Sequence, residues 1–387
     1  MTVGIAILGA GIFAKEAHLP ALLPLVTSGE ANLAAVYSRS AKTAQSFADA
    51  WKEALPNAPP LPVYSDDSGG DHDLDALLKR SDVHAVAIVL PIPAQPDVVR
   101  KALAAGKHVL SEKPVAKDVA TGIQLIKDYE SGFKGKGLIW RVAENYEVEP
   151  GYLRARQAVL DGSIGEVVLF NLSAVNYIDE TGKYYKTPWR TVPEASGFLL
   201  DGGVHQAAVV RLILAEQHAP AFLTGHATLT KKYLAPHDTI HAVFKTKSGA
   251  TGVIELSFAA PQPSRSSTNI TVTGTKGWVR IEGVKVDVEG VQKPAVRVTI
   301  RKLVPAPTDV DAHATKEETQ SWDELHVGVR NEFASFVAAV AKKPDSSKIG
   351  DMTVGEPRAM LRDVAFIQAA LTSDGKQVSF DELLHGL

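Results

Sequence analysis

Three side chains in two separate stretches could move a proton beside a reacting carbon: Lys113, Asp201 and His205. Lys113 follows Glu112 directly after an apolar strand candidate, His108–Ser111. Open α/β sheets bind their ligands at the carboxyl ends of such strands. A partly buried lysine there could hold a hydroxyl or carbonyl oxygen, and its pKa falls readily enough for acid–base work. By itself, Glu-Lys-Pro is more often an exposed loop.

Asp201 and His205 belong to a glycine-rich stretch that runs from Gly197 to His205. They are four residues apart, so in a helix they share one face. Histidine titrates near neutrality and can take or give a proton, while Asp201 could orient the imidazole or contact a substrate itself. Without context, the same pair is equally typical of a helix cap or a satisfied buried histidine.

A glycine loop precedes both stretches. It starts at Gly9, directly after the short apolar run Val3–Leu8, and continues through Gly11, Ile12 and Phe13. Gly9 would permit a tight turn, and Gly11 would let the backbone approach a pyrophosphate at a helix N-terminus. The strand-loop-helix context favours a dinucleotide-binding loop, with all four loop residues as cofactor contacts, over a plain turn.

The end of the second strand candidate indicates which dinucleotide binds. An acidic residue there would hydrogen-bond the ribose hydroxyls of NAD, but this chain has Tyr37-Ser38-Arg39-Ser40. The arginine fork suits a 2′-phosphate because it makes paired, charge-assisted hydrogen bonds. We therefore predict NADP(H) rather than NAD(H), with Ser38 and Arg39 on the phosphate. The alternative is a solvated surface arginine.

These residues require a fold that brings strand ends together. The first half of the chain alternates short apolar runs with helical segments, which predicts a parallel sheet covered by helices. We expect an α/β Rossmann domain over residues 1–143. Its strand candidates are Val3–Leu8, Asn32–Tyr37, Pro62–Tyr64, Ala85–Val89, His108–Ser111 and Leu138–Val142.

The rest of the chain, residues 144–387, reads as an α+β domain with a large, mostly antiparallel sheet. Pro305–Ser321 is polar and aperiodic, which predicts a loop. Late helices are expected at Asn331–Val340 and Pro357–Leu371, where they can pack back on the first domain. The strand candidates are Val167–Tyr177, Phe222–Leu229, Ile240–Thr246, Gly252–Ala259, Thr268–Thr273, Trp278–Glu282 and Val296–Leu303.

Composition narrows the function classes. The 387 residues include no cysteine, which excludes thiolate nucleophiles, disulfides and cysteine-ligated metals. The net charge is -3, without the concentrated positive patch that a nucleic-acid partner needs. His237 and His241 are the only close histidine pair, and we expect no metal site. We expect a cytoplasmic protein with a small-molecule substrate and no membrane segment.

Together these motifs resemble the Gfo/Idh/MocA family, the glucose–fructose oxidoreductase and inositol dehydrogenase group. The resemblance covers nearly the whole chain. It is carried by the glycine loop, by Ala104–Val109 running into Glu112-Lys113-Pro114, by Trp189-Arg190, by the Asp201–His205 stretch and by the Gly274–Gly277 turn.

The resemblance implies hydride transfer between nicotinamide and a carbon bearing a hydroxyl or carbonyl, on sugars, cyclitols and related polyols. Lys113 and His205 would be the catalytic pair, with Asp201 in support and no catalytic metal. Family members commonly form dimers or tetramers through the open sheet face. The substrate-pocket residues that it implies or makes plausible are Asn145, Tyr146, Tyr177, Trp189 and Arg190.

The chain departs from the family pattern in two places. Pro91 and Gln95 stand in a segment where many members have Thr-Pro-Asn and a histidine, and we expect both to contact the cofactor, as we expect of Glu112 and Lys113. Ala208 replaces an acidic residue. Two other activities stay open: a non-catalytic, dinucleotide-binding regulator, and a trans-dihydrodiol dehydrogenase or biliverdin-reductase-like enzyme.

Overall fold

The chain forms two units, and the first unit contains segments from both before and after most of the second. The computed structural model describes residues 1–187, 190, 197–305, 315–342, 348–349 and 352–387. The first unit comprises Met1–Asn145, Gly328–Leu361 and Leu387, and the second comprises Tyr146–Val327 and Arg362–Gly386. The sequence-based division, by contrast, has a single boundary after residue 143.

Neighbouring strands in the main sheet of the first unit are all parallel. This agrees with their continuous apolar runs, which are typical of strands buried on both faces. The strands are β1 Val3–Leu8, β2 Ala31–Ser38, β3 Val63–Ser65, β4 Ala85–Ile88, β5 His108–Glu112 and β6 Trp140–Ala143. Their order, β3-β2-β1-β4-β5-β6, is that of a Rossmann domain, which confirms the predicted α/β class. The helices are α1 Leu19–Thr27, α2 Ala41–Ala54, α3 Leu74–Lys79, α4 Gln95–Ala104 and α5 Val119–Gly132.

The second unit contains a long sheet in which β7 and β10 are parallel and the other neighbours are antiparallel. Its first strands are β7 Val167–Val175, β8 Pro220–Thr228, β9 Thr239–Thr246, β10 Thr251–Ser257, β11 Ser267–Gly274, β12 Gly277–Val288, β13 Val291–Pro305 and β14 Thr315–Leu325. The short strands β15 Lys348–Ile349 and β16 Met352–Thr353 pair separately, and β17 Val378–Ser379 completes the long sheet. The order is β14-β13-β12-β11-β7-β10-β9-β8-β17, which confirms the predicted α+β class.

The remaining helices include both late helices that the sequence predicts. They are α6 Pro150–Leu160, α7 Gly197–Asp201, α8 Gly203–Leu214, α9 Gly328–Val340, α10 Pro357–Thr372 and α11 Phe380–Leu383. Helix α9 buries Phe333 and Phe336 in the same hydrophobic core as Ile5 and Ile7 of β1. A segment from the end of the chain therefore completes the core of the Rossmann unit.

Helices α7 and α8 form the most apolar helical stretch. Over Gly197–Leu214 the mean hydropathy is 1.3, which by length and composition alone would allow a membrane span. However, 83% of this window is buried inside the protein, as is usual for a core helix. Its apolar character is explained by packing on the sheet.

The prediction of a loop at Pro305–Ser321 was wrong for its described C-terminal part. Strand β14 starts at Thr315 and pairs with β13 along its whole length. The strand lies at the sheet edge, and its described residues include none that is fully buried, so no apolar alternation marks it. Cross-strand ion pairs hold it instead, at 2.7 Å between Arg297 and Asp323 and at 3.2 Å between Arg301 and Glu317.

Candidate active site

The glycine loop leaves open space at one of its two glycines. Gly9 has φ +112°, and its N–H donates to the Tyr37 carbonyl at 2.8 Å. A Cβ at Gly9 would lie 2.1 Å from the carbonyl oxygen of Val89, so this turn requires glycine. A Cβ at Gly11 would meet no atom within 4 Å, so the backbone there is accessible to phosphate oxygens. The loop therefore fits the pyrophosphate of a dinucleotide.

The helix that follows the loop has an unusual first part. Ile12 and Phe13 are half-buried at its start, and Ala14–His18 forms a π-helical turn before α1 begins at Leu19. Such turns are rare, and they are frequent at functional sites. This one places His18 in the interior of the unit, where 1% of the residue is exposed.

The tip of β2 carries one charged group that faces solvent. Ser38 is half-buried, and Arg39 is exposed, with no hydrogen bond or ion pair among the described residues. Two carboxylates that follow β3 are engaged by the protein. Asp66 accepts from the Tyr37 hydroxyl at 2.6 Å, and Asp67 accepts from the Ala41 N–H at 2.8 Å.

Electrostatics at this tip agree with these contacts. Burial, together with the hydrogen bond to Asp66, raises the pKa of the Tyr37 phenol, while the positive charge of Arg39 acts in the opposite sense. The Ser65 hydroxyl and the Ala41 N–H lower the pKa of Asp67 below its usual range. Both Asp66 and Asp67 therefore already accept hydrogen bonds from the protein.

Gln95 has an unsatisfied side chain. It begins α4 and is 2% exposed, yet neither its amide nitrogen nor its amide oxygen has a hydrogen-bond partner among the residues that the structure describes. A buried primary amide without partners is uncommon and calls for an explanation, such as a ligand or an ordered water. Pro91, four residues earlier, is half-buried, and its carbonyl accepts from the Ala94 N–H at 2.9 Å.

Lys113 lies one residue beyond the carboxyl end of β5. It is half-buried, and its peptide bond to Pro114 is cis. The preceding Glu112 is buried, with Oε1 2.6 Å from Nε2 of His18 and Oε2 accepting from the Lys113 N–H at 3.2 Å. Sequence reasoning missed His18. The only local signal was a lone histidine within the apolar helix start.

In the second unit, Asp201 ends α7 and forms an ion pair with Arg190. The distance between Nε of Arg190 and Oδ2 of Asp201 is 2.7 Å, and both side chains are largely buried. Arg190 also donates to the Thr187 hydroxyl at 2.6 Å. The structure therefore brings together two predicted site residues that are eleven positions apart. Trp189, also predicted here, lies outside the described residues.

His205 lies in the first turn of α8, stacked on an aromatic ring. Its ring centroid is 4.5 Å from that of Tyr146, with 20° between the planes. Tyr146 belongs to the short 3-10 turn Asn145–Val148, in which Asn145 is also half-buried. Two glycines precede His205 because the helix packs closely on β10. A Cβ at Gly203 would be 2.6 Å from the Leu256 side chain.

A buried charge network connects α8 to its surroundings. Arg211 donates twice to Asp363, at 2.7 and 2.8 Å, and once to Glu147 at 2.7 Å. Burial alone would lower the pKa of Arg211, but the two carboxylates outweigh burial and raise it. Glu147 follows Tyr146, so the network fixes the turn that carries the stacked ring. Sequence reasoning missed it because Arg211 and Asp363 are 152 positions apart.

Tyr177, the remaining predicted pocket residue, is half-buried. Its ring centroid is 4.9 Å from Nζ of Lys231, which also donates to the Ala260 carbonyl at 2.6 Å. An isolated β-bridge to Ala259 holds the Tyr177 backbone. Among the residues that the structure describes, no group of three or more histidine or acidic side chains is placed to hold a metal ion.

Two family models match the chain. One, described as "Oxidoreductase family, NAD-binding Rossmann fold", matches residues 3–132, and the "GFO/IDH/MocA C-terminal domain" matches residues 152–280. Both matches agree with the architecture of the two units.

Similar proteins span the whole chain. Dehydrogenase FPY6 of Fusarium mangiferae is 37% identical over 375 residues, which cover 96% of each protein. Inositol 2-dehydrogenase of Rhizobium meliloti is 25% identical over 91% of this chain and 92% of that protein. The crystal structure of an oxidoreductase from Thermotoga maritima superposes with a TM-score of 0.78 at 28% identity, covering 99% of this chain and 100% of that one. These matches confirm the resemblance predicted from the motifs: the chain belongs to the Gfo/Idh/MocA family of NAD-binding oxidoreductases.

Proposed function

We propose that the protein is an NADP-dependent dehydrogenase or reductase acting on a hydroxyl or carbonyl carbon of a sugar, cyclitol or related polyol. One observation carries the proposal. Lys113 lies just beyond a Rossmann strand and His205 is stacked on a tyrosine, and these two residues would be the proton-handling groups of such an enzyme. A binding module would have no need of Lys113, Asp201 and His205 together.

Different residues of the chain would move the proton, stabilise the reacting oxygen and bind the substrate. When bound, the nicotinamide supplies or accepts the hydride. In the oxidising direction, His205 takes the proton of the substrate hydroxyl, and the Lys113 ammonium stabilises the oxygen as the carbonyl forms. Asp201, which is ion-paired with Arg190 and lies shortly before α8, would accept hydrogen bonds from substrate hydroxyls.

Several residues are proposed to hold the cofactor. The pyrophosphate would be surrounded by Gly9, Gly11, Ile12 and Phe13. The cofactor would provide hydrogen-bond partners for the Gln95 amide, which has none among the described residues. The remaining proposed contacts are Ser38, Arg39, Pro91, Glu112 and Lys113.

The proposed preference for NADP(H) is supported by the state of the charged groups at the β2 tip. Arg39 is exposed and has no described partner, so its charge is available to a 2′-phosphate. Asp66 and Asp67, the carboxylates that the tip contacts, already accept hydrogen bonds from the protein. They are therefore less able to bind the ribose hydroxyls of NAD.

The proposed substrate class is supported by the relatives. Inositol 2-dehydrogenase of Rhizobium meliloti is named for a cyclitol, and it matches almost the full chain. Half-buried Asn145, Tyr146, Tyr177 and Arg190 would supply the polar groups and ring faces that bind a polyhydroxylated ring. Trp189 is proposed to belong to the same pocket.

We also propose that the protein forms homodimers or homotetramers through the open face of its long sheet. Leu169, Val243 and Val253 project from that face with 52, 54 and 49% of their surface exposed. Val243 and Val253 are direct cross-strand partners, so the apolar area is contiguous. Light scattering after gel filtration measures the mass. Apart from copies of itself, we expect the protein to bind a small-molecule substrate and neither nucleic acid nor a membrane. We expect it to be located in the cytoplasm.

The test follows nicotinamide absorbance when purified protein meets NADP⁺ or NAD⁺ with pooled sugars, cyclitols or aromatic diols. We expect reduced NADP from a sugar or cyclitol pool, and a loss of about 10²- to 10⁴-fold in kcat for Lys113→Ala and for His205→Asn. Lys117→Ala is the matched control, since Lys117 is exposed four residues later in the same loop.

Other results would point to other functions. Turnover with the aromatic diols alone would favour the trans-dihydrodiol dehydrogenase reading. Tight cofactor binding without turnover in any pool would favour a regulator. Faster turnover with NAD⁺ would refute the proposed cofactor preference.

A further inference from the structure

A buried histidine and a buried glutamate lie behind Lys113, and the proposed proton transfer uses neither. We propose that His18 and Glu112 are positioning residues that hold the Lys113 backbone, and through it the ammonium group, in place for the reaction. This inference rests on the role proposed above for Lys113.

Both oxygens of Glu112 are used. Oε1 lies 2.6 Å from Nε2 of His18, and the two side chains are 10% and 1% exposed. Oε2 accepts from the N–H of Lys113 at 3.2 Å. A carboxylate this deeply buried needs such donors, because burial removes its water. Glu112 thus joins the helix that follows the glycine loop to the peptide that carries Lys113.

The imidazole of His18 is held in one orientation. The ring edges of Phe13 and Phe333 pack against it, each with centroids 5.2 Å apart and planes at 81°. Its Nδ1 is buried without a hydrogen-bond partner among the described residues. A proton on Nε2 therefore fits the site, because it can be donated to Glu112, whereas a proton on Nδ1 would be a buried donor without an acceptor among the described residues.

The contacts run in an unbroken series from the glycine loop to the proposed catalytic lysine. Phe13 touches His18, His18 bonds to Glu112, and Glu112 bonds to the Lys113 peptide. The π-helical turn ends at His18, so the unusual helix start supplies this histidine.

The experiment compares His18→Leu, which removes the donor, with His18→Gln, whose amide N–H can still donate to Glu112. Ser111→Ala is the matched control. It deletes another buried hydrogen bond of the same strand, from the Trp140 indole N–H at 3.0 Å. The first readout needs no turnover: the rate at which an acylating reagent labels Lys113 in the cofactor-free protein, measured by mass spectrometry.

Lys107 is the internal reference for general loosening of the fold. It is buried, and its ammonium donates to the Arg80 and Val83 carbonyls at 2.7 and 2.8 Å. In His18→Leu we expect faster labelling of Lys113 and unchanged labelling of Lys107. We expect kcat to fall roughly ten- to a hundredfold, because a displacement of about 1 Å has that effect, with little change in the cofactor Kd. His18→Gln should restore most of both, and Ser111→Ala should change neither.

Two results would overturn the inference: unchanged labelling of Lys113 in His18→Leu, or equal acceleration at Lys107, which would make the pair a stabiliser of the whole unit. If the wild-type protein turns over no substrate, the proposed function fails. The labelling comparison still decides whether His18 positions Lys113.

Discussion

Replacing Arg211 by methionine tests whether the buried charge network holds the second unit together. Arg211 makes three hydrogen bonds of 2.7–2.8 Å to Asp363 and Glu147, which are 1% and 0% exposed. Without the arginine, two carboxylates would stay buried without the positive charge of Arg211 beside them. Breaking a buried pair in this way costs about 3–5 kcal/mol of unfolding free energy. Because two carboxylates lose their partner here, we expect the upper part of that range.

The matched control is Arg297→Met. Arg297 also makes two short bonds to a carboxylate, at 2.7 and 2.8 Å to Asp323, but the side chains are 47 and 33% exposed. Water screens such a pair, so we expect a much smaller loss of stability than for Arg211→Met. Chemical denaturation of both variants, followed by circular dichroism, gives the two values.

If Arg211→Met loses no more stability than Arg297→Met, the buried Arg211 network contributes no more to stability than an exposed ion pair, and the reasoning from burial is refuted. The double variant Arg211→Met/Asp363→Asn also removes one of the two buried negative charges that Arg211 no longer balances. It should recover part of the loss, since a buried amide is less unfavourable than a buried carboxylate.

Arg39→Ala should weaken NADPH binding by roughly ten- to a hundredfold, about 1.5–3 kcal/mol, and leave NADH binding almost unchanged. Equal losses for both cofactors in fluorescence titrations would contradict the 2′-phosphate assignment. Gln95→Leu should weaken cofactor binding roughly two- to tenfold without destabilising the cofactor-free protein, because the described part of the chain provides the amide with no hydrogen bond to lose. A lower Tm with unchanged affinity would show that the amide serves the fold instead. Burial, aided by nearby positive groups, lowers the pKa of His108, so below about pH 6.5 protonation favours the unfolded chain and stability falls. In His108→Gln the unfolding free energy should depend less on pH there, by at most about 1.4 kcal/mol per pH unit, and an identical slope would refute this.

The sequence allowed the Rossmann unit to be predicted well because its signals are local. Val3–Leu8 is a continuous apolar run beside a glycine loop, and it forms β1 with those bounds. Lys113 and His205 could be proposed as catalytic residues because each belongs to a short motif. In these cases the residues that define the feature are neighbours in the chain.

The missed features depend on residues that are far apart. His18 is functionally interesting only through Glu112, which is 94 positions away, and Arg211 only through Asp363, which is 152 positions away. Contacts between residues this far apart in the chain produce no periodic pattern in the sequence. Strand β14 was missed for a different reason: it buries no face, so its residues are not selected for alternation.

The same strand has a consequence for the behaviour of the protein at high concentration. A long edge strand presents unpaired backbone groups that can recruit another chain and start aggregation. Here that edge carries Lys316, Glu317, Glu318, Asp323 and Glu324, and the opposite edge, β17, is only two residues long. Charge at one end and brevity at the other stop the sheet from growing by strand addition. The broad face of the sheet then remains for the contact between copies in the proposed homodimer or homotetramer.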